Sequence, residues 1–184
     1  AGGALGTTFS DLSITKSGAF TVNGFTAVDT LKLIAGGAVT LNGAVTTTTG
    51  GGDSIVISGT SFTNNAGASA LNPGAGRFLV WSGNPAADNR GGQAYDFKQY
   101  NAAFGSSTVL GTGDGFLYTV APSITPGLTG TVSKVYDATA AATLAGASYT
   151  VAGVIDGDAV TLSGTGAYDN KNVGTGKTLS VSAY

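Results

Sequence analysis

The stretch Asn172-Val-Gly-Thr-Gly-Lys-Thr-Leu179 sets Gly176, Lys177 and Thr178 in the order used by loops that cradle a nucleotide phosphate. Such a loop needs a second glycine five positions before Gly176, and Lys171 stands there. It must also open a helix whose N-terminus meets the phosphate, whereas residues 178–183 alternate like a strand. The stretch is expected to be a hairpin turn, and no cofactor is expected.

Other chemistry has little material to work with. The chain has no His and no Cys, and all 10 of its acidic residues are Asp, so the usual general base, the usual nucleophile and most transition-metal ligands are missing. Asp88, Asp96, Arg90 and Lys98 are the least implausible set for cleaving a polysaccharide. Asp88 sits beside Asn89 in a turn signal, however, and Arg90 and Lys98 are more simply partners of nearby carboxylates, so no catalytic residues are assigned. Asp156-Gly157-Asp158 and Asp169-Asn170 offer hard oxygens, but their spacing fits neither an EF-hand nor a calcium-binding nonapeptide repeat. They read as turn formers, and no metal site is assigned.

Aromatic residues concentrate in one place. Trp81, Tyr95, Phe97, Tyr100 and Phe104 could stack on a sugar ring or on a partner, with Trp81, Tyr95 and Tyr100 as the contact positions. The competing reading, favoured here, is that they close the end of a repeat array. Tyr136 and Asp137 read as a half-buried ring and a turn-forming carboxylate.

The elements behind these residues follow from composition and repetition. With 31 Gly among 184 residues, and Thr, Ser, Ala and Val filling much of the rest, the alphabet favours short strands joined by tight turns, an all-β protein. Charged residues make up 10% of the chain and the formal net charge is −2, too little basic charge for nucleic acid or an anionic membrane as partner. The longest apolar run, 31–41, is too short to span a bilayer. Ala1 opens into Gly-rich sequence without a basic and apolar leader pattern, so any targeting signal is expected to lie outside this sequence, which is expected to be an excerpt of something longer.

Gly18-Ala-Phe-Thr-Val-Asn-Gly24 recurs as Gly37-Ala-Val-Thr-Leu-Asn-Gly43, preceded by Leu12-Ser-Ile14 and Leu31-Lys-Leu33, and Ile55-Val-Ile57 with Phe62-Thr-Asn-Asn65 begins a third copy. A period of about twenty residues with Gly and Asn at the breaks predicts β-solenoid rungs over 1–72, specifically a right-handed parallel β-helix. Ile14, Phe20 and Val22 should stack on Leu33, Val39 and Leu41, pointing inward. Residues 73–120 form an aromatic-rich cap with strands at 77–82, 107–110 and 116–120. Residues 121–127 form an extended linker whose prolines disfavour helix and sheet. Residues 128–184 form a small antiparallel β-sandwich with strands at 131–136, 148–154, 159–163 and 178–183.

Lys134-Val-Tyr-Asp-Ala-Thr139, Gly157-Asp158, Leu162-Ser-Gly-Thr-Gly166 and Tyr168-Asp-Asn-Lys-Asn-Val-Gly174 resemble the YDG repeat of large bacterial surface exoproteins. Ala138 stands where that family usually has Gly, so the turn there should do without positive φ. The resemblance also implies a further strand after Tyr184, making this last unit incomplete, its open edge paired with another copy or blocked. The segment from Arg77 to Ala102, with Arg77-Phe-Leu-Val-Trp-Ser-Gly-Asn-Pro85 at its head, is similar to the region after the β-helix of filamentous-haemagglutinin-type adhesins secreted by the two-partner route. What this implies is a non-catalytic structural and adhesive segment, at the cell surface or secreted into an extracellular or biofilm matrix. The implied partners are copies of itself or neighbouring repeats, surface glycans or host cells, and an outer-membrane secretion partner. The alternative is a glycan-binding module using residues 78–104.

Overall fold

A computed structural model describes residues 9–144 and 149–182. Ser148 and Ala183, the outer residues of two expected strands, lie outside the described residues, as does Tyr184. The chain divides into two units, Ala1–Ala121 and Pro122–Tyr184. Among the described residues the only helical element is a 3-10 turn at Pro85–Ala87, and no helix is long and apolar enough to cross a membrane.

The first unit is a parallel β-solenoid of roughly three turns. Strands β1 (Asp11–Lys16), β3 (Thr30–Ala35), β5 (Asp53–Ser58), β8 (Arg77–Ser82), β10 (Gly115–Tyr118) and β9 (Phe97–Gln99) lie side by side in that order, every neighbouring pair parallel. The facing sheet runs β2 (Phe20–Ala27), β4 (Val39–Thr47), β6 (Phe62–Asn64), with β7 (Leu71–Asn72) also on β4. Ile14 pairs with Leu33, Leu33 with Ile57, Ile57 with Val80 and Val80 with Phe116, while Phe20, Val39 and Phe62 form the matching row opposite. The stacking of Ile14, Phe20 and Val22 on Leu33, Val39 and Leu41 is therefore as the repeat predicts.

Because side chains alternate along a strand, each row turns inward as a block, and Leu31, Val39, Leu41, Ile55, Ile57, Phe78 and Phe116 are fully buried between the sheets. Each such side chain contributes ~1.5–3 kcal/mol relative to exposure. Polar residues stack as well. Where β2 and β4 bend, Asn65 donates to Asn42 Oδ1 at 2.9 Å and Asn42 donates to Asn23 Oδ1 at 3.3 Å, an amide ladder along the axis. The repeated glycine after the asparagine is required there, since a Cβ on Gly43 would sit 2.3 Å from the Asn23 carbonyl oxygen. At another corner Asp29 accepts from Ser10 and Thr49, both at 2.6 Å, and these two hydroxyls hold its carboxyl below the usual range.

The second unit holds two small antiparallel sheets. One pairs β11 (Thr125–Leu128) with β13 (Tyr149–Ala152); the other orders β12 (Ala141–Ala142), β14 (Thr165–Tyr168) and β15 (Leu179–Ser182). Several expectations are corrected here. Residues 121–127 are not wholly a linker: β11 forms through Pro126, which lies opposite Val151 and is tolerated because, among the described residues, β11 has a neighbour on one side only. Residues 131–136 and 159–163 form no strand, and residues 107–110 in the first unit form none either. In the last case the Gln99 side chain takes the strand's place, donating to Thr108 O and accepting from Leu110 N–H, both at 2.9 Å. Ala138 does adopt a positive φ, 60°, against the expectation that a residue with a Cβ would avoid it.

Candidate functional site

The lysine of the phosphate-loop look-alike is built into a hairpin. Strands β14 and β15 pair antiparallel, and Asp169 N–H donates to Thr178 O at 3.0 Å, closing the loop between them. Inside it Lys177 Nζ donates to the carbonyls of Asn170 (2.8 Å) and Asn172 (2.7 Å) and to Asn170 Oδ1, with the Asp169 carboxylate 3.5 Å away. All three ammonium protons thus have acceptors in the loop itself, and a strand follows where a phosphate loop would place a helix. The lysine staples the turn.

Lys134 does the same for the neighbouring loop. Its Nζ donates to Asp137 Oδ1 at 2.7 Å and to the carbonyl and hydroxyl of Thr139, both at 2.9 Å. Asp137 in turn accepts from the Thr139 N–H and hydroxyl. The Lys134 hydrogen bond first, then those from Thr139, lower the exposed Asp137 carboxyl to about 2. The two loops and Tyr168, whose hydroxyl donates to Val132 O at 2.8 Å, border an open cleft of about 550 Å³ with Leu128, Tyr136, Val173 and Leu179 on its walls.

In the solenoid unit the least implausible catalytic set is engaged with the end of the ladder. Asp88 accepts the Phe62 N–H (2.8 Å) and the Ser82 hydroxyl (2.7 Å), and Asp96 accepts the Asp114 N–H (2.8 Å). Arg90 lies over the Tyr95 and Phe116 rings, 5.2 and 5.7 Å from their centres. Lys98 lies in β9, the outermost strand of the larger sheet. Among the described residues no group of three or more acidic residues could hold a metal ion. At the Asp156-Gly157-Asp158 turn, Asp156 has φ 55° and Asp158 N–H bonds Ile155 O.

The three aromatic contact positions are dispersed. Trp81 faces outward from β8, 6% exposed, under the edge of Phe104 and in a cluster with Val56, Leu79, Ala102 and Leu117. Tyr95 meets Phe116 edge-on and Tyr100 stacks on Tyr118, both at the inter-sheet core on the other face of the sheet. Tyr95 is 37% exposed, so its ring is only partly a cover.

What sequence reasoning missed is how the smaller sheet ends. Gln93 lays its side-chain amide against β7 as a substitute peptide group, accepting the Leu71 N–H at 3.0 Å and donating to Leu71 O at 3.4 Å. Next to it Asn64, buried in the row above, donates to Arg90 O and Gly67 O, and Asn89 bonds Phe62 O and Asn64 N–H. Asp114 caps the Phe78 N–H at 2.8 Å, and its carboxyl is pushed up, mainly by burial. Gln93 directly after the paired glycines Gly91 and Gly92 is the hint the sequence offers.

No curated protein and no solved structure matches the chain. The resemblance carried by the Lys134, Asp137 and Tyr168 stretches is matched at the family level, and residues 119–184 are a YDG domain.

Proposed function

We propose that the chain is a non-catalytic structural and adhesive segment of a bacterial cell-surface or extracellular-matrix protein, of the filamentous-haemagglutinin type and exported through an outer-membrane partner by the two-partner route. The observation that carries this reading is the solenoid itself, in which charged and hydroxyl side chains are spent on ladders and end caps. Asp88, Asp96, Asp114, Asn64 and Gln93 all bond backbone groups, an arrangement that builds stiffness along the axis. A solenoid followed by a YDG domain supports the same reading by its order.

Units join by strand pairing. Among the described residues β11, β12, β13 and β15 each have a hydrogen-bonded neighbour on one side only, the geometry that accepts a strand from another copy or a neighbouring repeat. Surface glycans and host cells are the adhesive targets. Electron microscopy of the purified chain at high concentration tests the assembly: filaments with a regular axial repeat are expected, and uniformly dispersed single particles would overturn joining by strand pairing.

A further inference from the structure

The outer face of the larger solenoid sheet carries a groove with the composition of a sugar site. Its floor is the register row Lys32, Val56, Leu79, one residue from each of three successive rungs, so the groove runs along the solenoid axis. Outward positions on a solvated sheet face are ordinarily polar. Here Val56 and Leu79 are apolar and 5% and 2% exposed, because Ala102 and Val109 from the segment after β9 pack in one cluster with them. Where that cover stops, an open cavity of about 360 Å³ remains.

Four features converge on it. Phe104 forms one wall, 39% exposed and set edge-on to Trp81 with ring centres 5.7 Å apart, which fixes the ring as a platform. Lys32 lies at the opposite end, exposed. Asp53 stands at the side with its carboxylate oriented by Arg77 Nε at 2.6 Å through Oδ1, leaving Oδ2 to accept from a ligand. Gly51 and Gly105 flank the opening, and a Cβ at either would meet nothing within 4 Å, so the banks are low.

We infer that this groove binds a pyranose glycan, lying along the axis, with Phe104 stacked on a ring face and Asp53 and Lys32 bonding hydroxyls. A pyranose offers an apolar C–H face and a rim of hydroxyls, each both donor and acceptor. One aromatic platform beside one acceptor and one donor fits that pairing. The site uses Trp81 but neither Tyr95 nor Tyr100, which lie on the other face. It rests on the reading of surface glycans as adhesive targets and does not depend on whether copies join.

The single tryptophan of the chain lies in the groove wall, so its emission reads the site directly. The full chain is titrated with cellotetraose, mannotetraose, maltotetraose and chitotetraose, following Trp81 fluorescence. A saturable change with at least one of them is expected. Phe104→Ala should weaken it by about ten-fold, the loss of one stacking contact. Gly51→Arg fills the mouth from a position with open space and no positive φ, so it blocks binding without touching the core even if the Phe104 variant folds poorly. No saturable change with any of the four sugars, or binding of unchanged strength in Gly51→Arg, would overturn the site.

Discussion

The two units reach order by different routes. In the solenoid, rows of Leu, Ile, Val and Phe from successive rungs are fully buried, and the polar residues stack in register above one another. In the YDG domain Gly166 is the one buried residue among those described, while Val135 and Val173 are 90% and 83% exposed. Two short sheets and two lysine staples hold that domain together. Repetition lets a poorly hydrophobic sequence bury a continuous core, because each rung covers the last. A unit without that repetition has to rely on local hydrogen bonds, worth ~0.5–1.5 kcal/mol each.

The largest expected effect lies in the solenoid. Phe78→Ala removes a fully buried ring packed edge-on to Phe116 and should cost about 3–5 kcal/mol, read as a loss of denaturant midpoint for the solenoid transition. An equal loss from Tyr168→Phe in the YDG domain, where only the bond to Val132 O is removed, would erase the contrast. Next comes the cap. Gln93→Ala strands the Leu71 N–H and carbonyl at a buried edge and should cost about 1–3 kcal/mol by the same measurement. A neutral outcome would mean that Gln93 does not complete the sheet.

Smaller effects sharpen the YDG side. Ala138→Gly relieves a positive φ that costs a residue with a Cβ about 1–2 kcal/mol, partly offset by the backbone entropy of glycine. A net gain of about 0.5–1 kcal/mol in the stability of that domain is expected, and a loss would show that φ is not strained. The last effect is one of pH. The Asp137 carboxyl is lowered on folding from 3.8 to about 2 by Lys134 and Thr139, so its contribution is complete above the unfolded pKa and disappears as pH falls through about 2. Carboxyl carbon chemical shifts followed against pH should give a midpoint near the folded value. A midpoint at the ordinary aspartate pKa would remove the staple.

The same contrast explains what was legible in the sequence. Leu12-Ser-Ile14, Leu31-Lys-Leu33 and Ile55-Val-Ile57 announce their register, because identical spacing in neighbouring rungs puts identical positions in contact. The hairpin at Gly176-Lys177-Thr178 was readable from the alternation after it. Residues 131–136, Thr-Val-Ser-Lys-Val-Tyr, are rich in strand-favouring Thr, Val and Tyr yet form no strand, since propensity says a segment can pair and not that a partner lies beside it. Ala138 misled for the opposite reason: the turn imposed by Asp137 and Lys134 outweighs the preference of one backbone angle. The groove beneath Phe104 was half legible, in that Trp81 and Phe104 were singled out. Which aromatics share a face depends on where the segment after β9 folds back, and nothing local encodes that.

Hydrogen exchange on the full chain, followed by mass spectrometry of peptides, tests the central contrast most directly. Amides of β3, β5 and β8 should exchange only through global opening of the solenoid and show the strongest protection. Those of β11, β13 and β15 should exchange orders of magnitude faster through local opening. Equal protection in the two units, or faster exchange in the solenoid strands, would contradict the account of one unit stiffened by stacked ladders and another held by short sheets and staples.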